Sequence, residues 1–156
     1  SDGSWVVYSS STEGRKLLRI PATGGATVEL TQRMFWCYDI SADDRDALCI
    51  APGPSGEWES AMLHLEGGEA RPIPGLPATA GMTRFGPDGR SITYLISQEG
   101  SGELWSLSAK SGEPRRLVRF EGKEISDFAW SPDGTRIAVV KVSRSGDVVL
   151  LKRSPA

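Results

Sequence analysis

One histidine, His64, two cysteines, Cys37 and Cys49, and an aspartate recurring at a near-constant interval are the residues of this 156-residue chain best suited to chemistry. A histidine acts as a general base only beside a nucleophile or an orienting carboxylate. His64 stands between Leu63 and Leu65, on the polar side of an alternating run, where a surface histidine is the simpler expectation. No Gly-x-Ser-x-Gly elbow occurs, so a hydrolase triad has no nucleophile here. One histidine and two cysteines do not furnish a zinc site. The aspartates at 2, 43, 88 and 133 invite a calcium or paired-carboxylate reading. A calcium loop needs several oxygen ligands at close spacing, as in D-x-D-x-D-G, and that pattern is absent. Each aspartate sits instead in a turn sequence, where its side chain caps neighbouring backbone N–H groups. The expectation is a chain with no catalytic residue, no cofactor and no metal.

These aspartates belong to an internal repeat. Ser131-Pro132-Asp133-Gly134-Thr135-Arg136-Ile137-Ala138-Val139-Val140 has a counterpart in Gly86-Pro87-Asp88-Gly89-Arg90-Ser91-Ile92-Thr93-Tyr94-Leu95. A weaker copy begins at Ser41-Ala42-Asp43-Asp44, and a fourth, Asp2-Gly3-Ser4-Trp5-Val6-Val7-Tyr8, lies at the start. The aspartates are 41, 45 and 45 residues apart, and Gly25, Gly68 and Gly112 are 43 and 44 apart. Two unrelated landmarks thus share one period.

Eighteen Gly and ten Pro disfavour long helices, while 38% apolar residues suffice for a packed core. Lys+Arg 18 against Asp+Glu 20, net −2, argues against nucleic-acid or membrane-surface binding by bulk charge. No apolar run approaches the length of a membrane helix.

One period reads as strands and turns. Ile125 to Trp130 is β-prone, Pro132-Asp133-Gly134 turns the chain, and Arg136 to Val142 is a second strand rich in β-branched residues. Val148 to Lys152 is a third, and earlier periods add a fourth at Val28 to Thr31, Arg71 to Ile73 and Arg116 to Val118. Four short antiparallel strands per period make a propeller blade. The chain is therefore expected to be all-β, about three and a half blades, divided near residues 1–32, 33–77, 78–120 and 121–156. Its first blade lacks a first strand and its last lacks a fourth, as in the C-terminal half of a larger propeller.

Phe128-Ala129-Trp130-Ser131-Pro132-Asp133-Gly134 and Phe85-Gly86-Pro87-Asp88-Gly89 resemble the aromatic-Ser-Pro-Asp-Gly signature of the TolB-like β-propeller family. Leu18 to Gly25 with Glu29-Leu30-Thr31 looks like that family's third and fourth strands, whereas Ser41-Ala42-Asp43-Asp44 departs from the signature. The resemblance implies a bacterial propeller used for interaction or sensing, with an extracytoplasmic location favoured. The tail, Ser145 to Arg153, is similar to the end of propellers in bacterial Ser/Thr kinases and winged-helix regulators. The family also includes propellers that gate prolyl-oligopeptidase-like serine peptidases, which is the alternative function.

In a propeller the first strands line the central channel. The candidate ligand or partner contacts are accordingly Tyr38, Asp39, Arg84 and Asp127, with Arg33 and Lys123 in the loops that enter those strands. Trp58 joins them as an aromatic in a long loop, Gly53 to Glu59, whereas Trp105 and Trp130 occupy core positions of the repeat. Setting Ile40 opposite Ala47 places Cys49 against Tyr38, so the two sulfurs point to opposite faces and two free thiols are expected. A one-residue slip would bring the cysteines face to face. Asp39 to Glu69 carries eight acids and one arginine, net −7, while Lys110 to Arg153 carries ten bases and six acids, net +4. Protein or small-molecule partners follow, with no nucleic acid and no direct membrane contact. A homodimer completing a propeller is expected from blade faces and strand edges left open.

Overall fold

Short runs rich in Val, Ile, Leu and aromatics, punctuated by Gly-containing turns, leave the backbone one cooperative way to satisfy its hydrogen bonds, namely antiparallel ladders. The computed structural model describes residues 3–10, 16–31, 36–53, 55–98, 100–108 and 112–142, and among these there are strands and no helix. A first sheet holds β1 (Trp5–Ser10), β2 (Lys16–Pro21) and β3 (Val28–Thr31) in that order. A second holds β4 (Trp36–Ile40), β5 (Asp46–Pro52), β6 (Trp58–His64) and β7 (Arg71–Pro72). A third holds β8 (Thr83–Phe85), β9 (Ser91–Gln98), β10 (Ser101–Ser108) and β11 (Pro114–Glu121), and a fourth pairs β12 (Glu124–Trp130) with β13 (Ile137–Val142). These are the blades that the repeat implied. The third strand expected at Val148 to Lys152 lies outside the described residues.

Alternation along the strands sends side chains to both neighbouring sheets, and three cores form between them. Leu17 of the first sheet packs with Ala47, Cys49, Ala61 and Leu63 of the second. Leu48, next in line on β5, points the other way and meets Ile92, Tyr94 and Leu107 of the third. Leu95 and Leu104 then pack with Ile125 and Phe128 of the fourth. Inner sheets are thus covered on both faces, and Ala47 to Cys49 and Ile92 to Leu95 are continuously buried. Every position of β1 and β13 is exposed or half-buried, in contrast to the inner strands.

The repeated turns also touch across blades. Gly134 has φ 69°, and a Cβ there would lie 2.6 Å from Pro87 Cβ. Only glycine serves both needs at that position.

Two expectations are corrected. Ile40 does face Ala47 and Asp39 faces Leu48, but a bulge at Tyr38 then puts Cys37 directly opposite Cys49. The cysteines form a disulfide and are not free thiols. The extra residue of the bulge supplies the one-residue slip that brings both sulfurs to one face. Trp58 is not in a loop: it opens β6 and pairs with Pro52 at the end of β5, so the connecting loop is shorter than Gly53 to Glu59.

Candidate functional site

The first strands of the second, third and fourth sheets are β4, β8 and β12, and they carry Tyr38, Asp39, Arg84 and Asp127 side by side. Arg84 reaches in both directions from β8. Its Nη1 donates to the Tyr38 carbonyl, its Nε to the Phe128 carbonyl at 3.3 Å, and its Nη2 to Asp127 Oδ1 at 3.2 Å. Asp39 Oδ2 accepts from the Phe85 amide at 2.8 Å, and its Oδ1 accepts from the Ile40 amide at 3.0 Å. One arginine and one aspartate therefore stitch three successive blades along the inner edge. A planar guanidinium suits this, since it donates in several directions at once.

The same bonds fix what is left for a ligand. Arg84 is three-quarters covered, whereas Asp127 remains 43% exposed with Oδ1 engaged. Burial pushes the half-covered Tyr38 hydroxyl above the ordinary phenol range. The groups that this edge can offer a ligand are the second oxygen of Asp127 and a neutral Tyr38 hydroxyl. Lys123 stands exposed in the link between β11 and β12. Arg33 lies outside the described residues. Among the described residues no group of His, Cys, Asp and Glu could hold a metal ion.

Trp58 has a companion that the sequence reading missed. Trp36 and Trp58 stack across β5 with ring centroids 5.0 Å apart and planes tilted by 39°. They are 41% and 39% exposed, so the pair presents an aromatic surface on the sheet face opposite the Cys37–Cys49 bridge. Both residues open strands that pair with β5, which is the signal that could have found them. The indole nitrogens of the two core tryptophans each have a partner. Trp130 Nε1 donates to Thr93 Oγ1 of the neighbouring blade at 3.0 Å, and Trp105 Nε1 donates to Glu103 at 2.9 Å. Both rings are half-buried among inter-blade core residues, as the repeat implied.

The turn aspartates act as caps. Asp43 accepts from Ser41 Oγ, Asp88 from Ser91 Oγ and the amides of Arg90 and Ser91, and Asp133 from Ser131 Oγ, Thr135 Oγ1 and the Thr135 amide. Asp2 lies outside the described residues. His64 is half-buried against Asp46 and Glu66.

No protein-family model matches the chain. A 67-residue stretch, 42% of the chain, is 33% identical to the uncharacterized peptidase YuxL of Bacillus subtilis (strain 168), of which it spans 10%. A putative TolB from Agrobacterium tumefaciens superposes with a TM-score of 0.75 at 17% identity, over 90% of this chain and 51% of that one. TolB from Acinetobacter baumannii gives 0.73 at 21% identity, over 88% of this chain and 35% of that one. The chain thus spans about a tenth of its curated relative and between a third and a half of these solved chains. The fold is that of TolB-like β-propeller blades. The kinase or winged-helix-regulator context drawn from the tail gains no support from these similarities, and the tail lies outside the described residues.

Proposed function

We propose that these TolB-like blades form a non-enzymatic interaction module, part of a bacterial propeller, that meets a protein or small-molecule partner. The observation that carries this reading is the Trp36–Trp58 pair, which is stacked and substantially exposed. Exposed aromatics of low conformational entropy are the side chains that most often anchor binding. The Cys37–Cys49 bridge supports an oxidising, extracytoplasmic location for the module. The test is capture of partners on the immobilised chain and on a Trp36→Ala/Trp58→Ala variant with a matched unfolding midpoint. A defined partner should be retained by the first and lost by the second. Equal capture by both, or hydrolysis of peptide or ester substrates by the purified chain, overturns the reading.

The gating propeller of a serine peptidase is the second reading, and the 33% identity to YuxL favours it. A hydrolase domain encoded in the same reading frame, with activity that changes when the blades are removed, would establish it. A reading frame without one would remove it.

A further inference from the structure

At the edge of the second sheet, away from the tryptophan pair, three successive strands bring Asp46, His64 and Arg71 to one cavity. Asp46 opens β5, His64 closes β6 directly opposite it, and Arg71 opens β7. The cavity measures about 350 Å³ and is backed by Met62, Ile73 and Ile92, which form its apolar wall. Trp58 and His64 are the two ends of β6, so the cavity is about 20 Å from the aromatic pair at roughly 3.3 Å per residue.

The polar groups of the cavity divide by chemistry. A carboxylate can only accept, so His64 Nδ1–H donates to Asp46 Oδ1 at 3.0 Å. That bond orients the ring and turns Nε2 away from Asp46. Glu66 Oε2 lies 3.7 Å from the same Nε2. The second Asp46 oxygen is therefore the acceptor that the cavity offers at one side. Arg71 supplies donors alone, and its exposed guanidinium has no hydrogen bond or ion pair among the described residues.

We propose that this cavity binds a small zwitterion with an apolar body, an apolar amino acid or dipeptide. Its ammonium group is held by Asp46, its carboxylate lies on the Arg71 fork, and its side chain packs on Met62, Ile73 and Ile92. The guanidinium fork matches carboxylate geometry, and a carboxylate such as Asp46 pairs with an ammonium group. The volume falls in the range of small-ligand sites. The inference does not rest on the interaction reading above, since it uses other residues and another place on the sheet.

Titration calorimetry of the full chain tests it with leucine, Leu-Leu, N-acetyl-Leu-Leu and Leu-Leu-amide. Saturable binding of leucine or Leu-Leu is expected, and whichever binds more tightly identifies the source. Blocking either end should weaken Leu-Leu binding about tenfold, the loss of one charge-assisted contact. Arg71→Ala should weaken free Leu-Leu by a similar factor and leave the amide unaffected, because the lost partner is the same. Asp46→Asn should do the converse, weakening Leu-Leu but not its N-acetyl form. Arg71 is exposed, so its variant keeps the wild-type unfolding midpoint. Absence of saturable heat at millimolar ligand, indifference to end-blocking, or unchanged binding by Arg71→Ala overturns the proposal.

Discussion

Cys37 and Cys49 are separated by 12 residues and close a loop that holds the turn between β4 and β5. Cross-linking a loop of this size removes unfolded-state entropy worth about 2–3 kcal/mol. Reduction, or a Cys37→Ser/Cys49→Ser variant, should lower the unfolding free energy by that amount, read as a lower denaturant midpoint. Equal midpoints with and without reductant would contradict the pairing. The bridge also shows where residue types stop being informative. Tyr38 is as good a β-residue in a regular strand as in a bulge, so nothing in its identity betrays the register shift that pairs the cysteines. Arg84 was legible as an inner-strand residue because the repeat phased it. Its partners, Tyr38, Asp127 and Phe128, depend on how blades stack and have no one-dimensional trace. Asp43, Asp88 and Asp133 were legible as caps, since their chemistry is local and acts within two or three residues of sequence.

The turns themselves carry the next scale. Gly89 and Gly134 have φ 60° and 69°, and Asp44 takes the same left-handed conformation at φ 58°. The departure from Pro-Asp-Gly in the second sheet therefore changed the residue but not the turn. An L-residue other than glycine pays for that conformation, though aspartate less than most. Asp44→Gly should stabilise the chain by about 0.5–1 kcal/mol, read as a raised urea midpoint. A lower midpoint would mean that the Asp44 side chain contributes more than its backbone strain costs. The capping carboxylates add a pH dependence. The hydroxyl of Ser41 holds Asp43, and that of Ser131 holds Asp133, below the ordinary value of 3.8. Partial burial raises Asp88, but the amides of Arg90 and Ser91 and the Ser91 hydroxyl outweigh it, so its pKa is also lowered. A folded pKa below the unfolded one means that the unfolded chain binds protons first as pH falls. Stability from these caps is fully present above about pH 4–5 and drains away as pH falls through the folded values. An Asp43→Asn/Asp88→Asn/Asp133→Asn variant keeps the turn geometry without titrating. Its urea midpoint should fall less than that of the parent between pH 6 and pH 2.5, and parallel curves would assign the acid sensitivity elsewhere.

Stacking blades leaves two ends, and the whole molecule is governed by what covers them. On β1 and β2 the register pairs Val6 with Ile20 and Tyr8 with Leu18, all on the face turned away from the first inter-blade core. Val6 is 50% and Tyr8 38% exposed, so this face is an apolar surface without a neighbouring blade. At the other end Val140 of β13 is 53% exposed while Ile137 and Val139 pack inward. Among the described residues the inner edge of β1 has no strand beside it in the first sheet, whereas β5 and β9 have β4 and β8 there. Open edges and contiguous apolar faces pair with other chains. A head-to-tail arrangement, in which one end of a chain meets the other end of its partner, would cover both. Two copies placed so would make two equivalent junctions about a two-fold axis and close a ring. Light scattering at micromolar concentration should therefore give twice the chain mass. Val6→Lys/Tyr8→Lys, which places charge on the open face, should return the monomer without lowering the unfolding midpoint of the diluted protein. A monomer mass for the parent that does not change with concentration would show instead that the blades are held by their local cores alone, as in repeat proteins whose units contact only their neighbours.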